Sequence, residues 1–341
     1  MIIRSKAPLR IGLAGGGTDL PSYSEENTGY VLNTTINMYV HTSILPNPNG
    51  DIEFFSQDLQ QGNKYLTQRE IKFDGHLDIY KAVYNKIIDC FGLSPISFKL
   101  ITFSEAPAGS GLGGSSTLIV SILKAFDELF SLKLNNNDLA CLAYQIERVD
   151  LGFSGGQQDQ YAATFGGFNL MKFSKGLTVK VSSLKLKNWF VNEFEASSFI
   201  CFSGISRDSS NIIENQNKGI ISGKELVLNE LHKLKKYALK MREDMLKGNI
   251  ENVINSIKVS WVSKKKTSSS ITNHHIEKII KKAEYLGVES YKVSGAGGGG
   301  FIFFMINPTQ KHLAMKELLK LDIDVRNVSY ENKGCQSWKI K

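Results

Sequence analysis

Residues 104–120 read Ser-Glu-Ala-Pro-Ala-Gly-Ser-Gly-Leu-Gly-Gly-Ser-Ser-Thr-Leu-Ile-Val, a glycine-rich loop running straight into an apolar segment. Glycines at 109, 111, 113 and 114 remove the Cβ atoms that would hold an anion away from the main chain, so several N–H groups can converge on one phosphate. The pattern beyond the loop predicts a helix from about Ser115 to Leu129, whose positive dipole end points at the same place. A P-loop would need lysine after the last glycine, where Ser115-Ser116 stands. Gly109 to Gly114 does fit the dinucleotide pattern G-x-G-x-x-G, yet a second helix, about Asn137 to Asp150, comes where a Rossmann unit needs a strand. A loop with only a turning role is the plain alternative.

Working outward, Ile96 to Phe103 predicts a strand feeding the loop, and the second helix is expected to turn Ala143, Ile146 and Val149 inward with Glu147 and Arg148 beside them. Gly155-Gly156-Gln157-Gln158-Asp159-Gln160-Tyr161 puts an acid at a helix start, where Asp159 is either a functional carboxylate or a residue favoured by the dipole. Near the start, a strand from Ile2 to Leu13 breaks at Ala14-Gly15-Gly16-Gly17-Thr18-Asp19. Alone, Arg10 there reads as a strand-edge charge and Asp19 as a turn-former. Towards the end, Lys292-Val-Ser-Gly-Ala-Gly-Gly-Gly-Gly-Phe301 carries more glycines than a turn requires, ahead of an apolar strand Phe301 to Met305.

Together these stretches resemble the GHMP small-molecule kinases, the superfamily of galacto-, homoserine, mevalonate and phosphomevalonate kinases. Its central Pro-x-x-x-Gly-Leu-Gly-Ser-Ser-Ala stands here as Pro107-Ala108-Gly109-Ser110-Gly111-Leu112-Gly113-Gly114-Ser115-Ser116, with Gly114 in place of the first serine. The resemblance implies two α+β domains, residues 1–185 and 186–341, with the active site in the cleft between them. It implies ATP held by residues 107 and 109–116, Mg²⁺ on Ser115 and Glu147, Asp159 as the base and Arg10 as the catalytic cation. Gly16, Gly17, Thr18, Asp19, Arg207, Gly297 and Gly298 fall at positions that bind the sugar. The run Gly15-Gly16-Gly17 departs from the Gly-Glu-His of galactokinases and is similar instead to the heptose phosphate kinases. That likeness implies a D-glycero-D-manno-heptose 7-phosphate acceptor, phosphorylated at the anomeric hydroxyl, with Arg207, Lys6 or Lys264 to Lys266 as the holder of its phosphate. Another sugar-1-kinase of fucokinase or galactokinase type, an inactive nucleotide-binding regulator and an NAD-linked oxidoreductase are the competing readings.

With 341 residues, 42% of them hydrophobic, the chain is long enough for two packed domains. The formal charge is +8, but Lys and Arg are scattered, so small acidic molecules fit better than a nucleic acid. The densest run, Lys264-Lys265-Lys266, reads as a solvated face or as a contact for a phosphate-bearing substrate. Cys90, Cys141, Cys201 and Cys335 lack C-x-x-C spacing and are expected as buried free thiols. No signal-like or membrane-spanning segment is seen, so a cytoplasmic protein with no membrane partner is expected, and a homodimer stays open. Ser203 to Ser210 reads as a polar loop, and helices are expected at 224–247, 250–262 and 273–286, the last opening on surface residues His274-His275. Strands near Val325 to Tyr330 and Ser337 to Ile340 are expected to close the second domain.

Overall fold

The computed structural model describes residues 1–206 and 210–340. The first part of the chain runs β1 (Ile2–Ala14), α1 (Pro21–Asn27), β2 (Gly29–Pro46), β3 (Asp51–Ser56), β4 (Gln61–Leu66), α2 (Asp78–Cys90), β5 (Phe98–Ser104) and α3 (Gly114–Phe130). Next come α4 (Asn136–Tyr144), a π-helical turn (Gln145–Asp150), α5 (Gln158–Phe165), β6 (Phe168–Ser174), β7 (Thr178–Ser183), α6 (Asn188–Ala196) and β8 (Ser198–Phe202). The remainder is α7 (Ser210–Ile221), α8 (Glu225–Lys247), α9 (Ile250–Lys266), α10 (His274–Tyr285), β9 (Val288–Val293), β10 (Phe301–Ile306), α11 (Pro308–Leu319), β11 (Asp324–Asn327) and β12 (Gln336–Ile340).

The described residues form two sheets, an eight-stranded one in the order β12-β1-β2-β5-β3-β4 with β6 and β7 branching from β2, and a four-stranded one in the order β11-β8-β10-β9. The branch exists because β2 is long enough to serve two partners: Gly29 to Thr34 pairs with β6, and Val40 to Pro46 pairs with β5. Helices α2 and α3 cover the first sheet through Tyr84, Phe98, Ile119, Leu123 and Phe126, all buried. In the second sheet every residue of β10 is buried, so this strand packs on both faces. A middle core joins Leu9 and Ile11 of β1 to Met241, Ile257 and Phe303, which packs the first sheet against the second half of the chain. Each such side chain contributes roughly 1.5–3 kcal/mol relative to exposure.

Several expectations need correction. Strand β12 does not close the second domain; it pairs with β1, Ile340 opposite Ile2, and so returns the chain to the first sheet. The segment beginning at Ser210 is helical, as α7. Val149 is 69% exposed although Ala143 and Ile146 are buried as expected. The cause is the π-helical turn, which widens the helix after Tyr144 and rotates Val149 out of 3.6-residue register. Cys90 and Cys141 are exposed thiols, and Cys335 is half-buried. His274 and His275 do open α10 on the surface.

Candidate active site

Helix α3 starts on Gly113, whose φ of +80° suits glycine and whose lack of a side chain leaves the first-turn N–H groups uncapped. A Cβ at Gly113 would lie 3.2 Å from Asp159 Cγ, so the glycine also lets the carboxylate approach the helix start. The loop before it is clamped from the other domain. Phe301 donates its N–H to Ser110 O at 2.8 Å, and Cβ atoms at Gly111 or Gly295 would come within 2.7–2.8 Å of the opposing backbone. The last glycine motif is therefore a close-packing device against the glycine loop that precedes α3. The Ser110 hydroxyl is 1% exposed in its residue and has no partner, an orphan that an oxyanion in the loop would satisfy.

Arg10, at the point where β1 bulges, sends two parallel hydrogen bonds from Nε and Nη2 to Asp159 at 2.7 and 2.8 Å. Its Nη1 donates to Gly111 O at 2.6 Å and, more weakly, to Ser294 Oγ at 3.4 Å. One guanidinium thus ties the start of α5 to the glycine loop. The π-helical turn carries Glu147 into the interior, where it is fully buried and accepts from Ser115 Oγ at 2.6 Å, Ser116 Oγ at 2.5 Å and Gln160 Nε2 at 2.6 Å. Asp19 accepts from the N–H groups of Gly17 at 3.0 Å and Gln158 at 3.3 Å. Burial, then the charge of Asp159, pushes its carboxyl above the usual range, against the pull of those donors.

These residues line one cleft of about 1140 Å³ whose walls come from both halves of the chain, Arg10, Gly111, Ser115 and Asp159 facing Gln216, Lys264 and Ser294. The description "GHMP kinases N terminal domain" fits residues 78–167, and "GHMP kinases C terminal" fits residues 241–320. The chain is 44% identical, over 99% of both chains, to D-glycero-alpha-D-manno-heptose 7-phosphate kinase of Campylobacter jejuni. The chain belongs to the GHMP kinases. The crystal structure of a D-glycero-D-manno-heptose 1-phosphate kinase from Bacteroides thetaiotaomicron superposes with a TM-score of 0.86 at 39% identity, covering 99% of each chain. A more distant relative is the L-fucokinase/L-fucose-1-P guanylyltransferase of Bacteroides fragilis, 26% identical over 93% of this chain and 36% of that one.

In this GHMP kinase the expected site residues divide. Pro107, Gly109, Ser110, Gly111, Gly113, Gly114, Ser115, Glu147, Asp159, Arg10, Gly16, Gly17, Asp19 and Gly297 line the cleft. Thr18 is fully buried and spends its hydroxyl on Gly15 O at 2.8 Å and Tyr30 O at 2.9 Å, so it holds the loop. Leu112 is a core residue whose carbonyl accepts from Arg10 N–H at 3.1 Å, and Ser116 works through Glu147. Gly298 gives its N–H to Ile271 O at 2.7 Å. Arg207 lies outside the described residues.

Of the lysine run, Lys265 pairs with Glu277 at 3.6 Å and the exposed Lys266 reaches the buried Glu230 at 3.7 Å, whereas Lys264 is buried in the cleft wall. Burial pushes its ammonium down to about 8, with Asp19 pulling the other way. Lys6 stacks over the Tyr39 ring at 4.3 Å and is no part of the cleft lining. Sequence reasoning also missed the far end of the cleft, lined by Leu59, Phe73, Tyr80 and Thr102. Phe73 and Leu59 are 47% and 49% exposed, a cue no periodicity carries.

Proposed function

We propose that the protein transfers the γ-phosphoryl group of ATP to the C1 hydroxyl of D-glycero-D-manno-heptose 7-phosphate, giving the 1,7-bisphosphate that precedes nucleotide-activated heptose. The observation that carries this is the Arg10–Asp159 fork held 2.6–2.8 Å from its partners beside the glycine loop, in a chain 44% identical to a heptose 7-phosphate kinase. The two heptose relatives are named for phosphates at different carbons, C7 and C1, and a 1,7-bisphosphate carries both.

The loop N–H groups and the Ser110 hydroxyl bind the triphosphate, leaving the apolar end at Leu59 and Phe73 for the nucleobase. Ser115 and Glu147 offer the hard oxygen donors that suit Mg²⁺, which fits a metal completed by phosphate and water oxygens. When bound, that ion supplies charge neutralisation at the β- and γ-phosphates. Asp159 takes the proton of the C1 hydroxyl as its oxygen forms the new bond to γ-phosphorus. The bond to the β,γ-bridging oxygen breaks and ADP leaves with that electron pair. Arg10 aims Asp159 through its two parallel hydrogen bonds, and Asp19 orients sugar hydroxyls. Magnesium-dependent ADP release with this heptose phosphate, galactose, fucose and mannose offered separately tests the acceptor. Turnover on a free hexose in preference to the heptose phosphate contradicts it.

A further inference from the structure

The Gly16-Gly17 turn and the Lys264 side chain meet in the wall of the cleft. A Cβ on Gly16 would touch nothing within 4 Å, so this position faces open space. Gly17 has a φ of +101°, and a Cβ there would lie 3.3 Å from Lys264 Nζ and 3.6 Å from Gln216 Nε2. Gly17 is thus packed closely against Lys264, and the open space lies at Gly16, whose carbonyl accepts from the ammonium.

The hydrogen bonds of that ammonium go to neutral groups, Gly16 O and Gln216 Oε1, each at 3.3 Å, while the Asp19 carboxylate acts on it through space without a direct hydrogen bond. Gln216, 2% exposed, is fixed with its oxygen towards the lysine because its Nε2 donates to Thr267 Oγ1 at 2.6 Å, and that hydroxyl donates to Lys264 O at 2.8 Å. The other cations lining the cleft among the described residues are committed elsewhere. Arg10 is bound to Asp159, and Arg148 donates to the carbonyls of Phe153, Ser154 and Gly156 at 3.2–3.3 Å and lies 3.5 Å from Glu147. A buried charge with two long neutral hydrogen bonds and only a distant carboxylate to offset its burial costs stability, and a ligand that brings an anion into direct contact would relieve that cost.

We infer that Lys264, beside the open space at Gly16, holds the phosphate the acceptor already bears and so selects phosphorylated over free sugar. This rests on the reading of the acceptor as a sugar phosphate. The ammonium forms charge-assisted hydrogen bonds to the phosphate oxygens, and the open face of Gly16 gives the group room. No covalent step is involved. Lys264 acts on binding, while Asp159 and Arg10 act on the C1 hydroxyl.

The test compares kcat/KM for D-glycero-D-manno-heptose 7-phosphate with that for the same heptose without phosphate, in wild type, Lys264→Met, Gly16→Glu, and the surface controls Lys265→Met and Lys266→Met. Wild type should prefer the phosphorylated sugar, and Lys264→Met should reduce that preference about a hundredfold, the scale of losing one partner of a buried charge pair. Its KM for ATP should not move. Gly16→Glu, which fills open space with a like charge, should reduce the preference in the same direction even if Lys264→Met folds poorly, and the controls should match wild type. A wild-type preference that survives in both Lys264→Met and Gly16→Glu overturns this inference alone. A wild type that uses neither heptose overturns the proposed function instead. A loss in Lys264→Met that is equal for both sugars assigns Lys264 to holding the loop and also overturns the inference.

Discussion

Replacing Arg10 by lysine keeps a positive charge beside Asp159 and removes the fork that carries it. The guanidinium makes two bonds to Asp159 at 2.7 and 2.8 Å and one to Gly111 O at 2.6 Å. A single ammonium on a flexible stem cannot reproduce that planar geometry, so at least one charged bond and the tie to Gly111 are lost. Each hydrogen bond to a charged group is worth roughly 1.5–3 kcal/mol, so the orientation of Asp159 loses about 2–4 kcal/mol where it matters. At about 1.4 kcal/mol per tenfold, kcat should fall by roughly 30- to 1000-fold. Because the side chain of Asp159 is 19% exposed and can be rehydrated, stability should fall by less, about 1–2 kcal/mol. The assay is coupled ADP release with both substrates varied, alongside thermal unfolding. KM for ATP should hold, since the loop N–H groups remain. Lysine at position 10 in an Asp159→Asn background should cost little more than Asp159→Asn alone, because the two side chains act as one unit. A kcat within threefold of wild type, or additive losses in the double variant, would refute the reasoning.

The same geometry sets two further outcomes. Gly113→Ala forces a Cβ into a backbone at φ +80° and to 3.2 Å from Asp159 Cγ, so unfolding measurements should show a loss of about 1–2 kcal/mol and kinetics a larger fall in kcat than in ATP affinity. For Lys264, burial lowers the folded-state value to about 8 from the ordinary 10.5, so the unfolded chain binds the extra proton between those values. Its cost to stability is fully present below about 8 and fades as pH rises towards 10.5. The melting temperature of Lys264→Met relative to wild type should therefore be highest near neutrality and decline through that window; a flat difference would contradict the assignment.

The fold was legible in the sequence where local chemistry and tertiary role coincide. Glycines at 109, 111 and 113 have positive φ, and the apolar runs of α3 and β10 are the buried elements they resemble. Where the two diverge, the reading fails. Strand β4, Gln-Gly-Asn-Lys-Tyr-Leu, is almost wholly exposed and has no apolar alternation, because it lies at the edge and is held by β3 alone. Helix α6 hides its periodicity in the adjacent aromatics Trp189-Phe190, of which one is exposed and one buried. The destination of β12 depends on a crossing back to β1 that no local pattern encodes.

At the site, the loop and the Arg10–Asp159 pair were legible as motifs, whereas the inward turn of Glu147 depends on one π-helical turn. Lys264 did leave a signal. Val253, Ile257, Ser260, Trp261 and Lys264 fall on one buried face of α9, and a lysine within such a stripe is unusual enough to mark a function.

The measurement that bears most directly on the central claim is magnesium-dependent turnover of D-glycero-D-manno-heptose 7-phosphate followed by ³¹P NMR, in wild type and in Asp159→Asn. The account predicts a second phosphate resonance from an anomeric phosphate, formed with one ADP per sugar, and a rate at least about 100-fold lower in Asp159→Asn. A product phosphorylated away from C1, or a variant as fast as wild type, would contradict it.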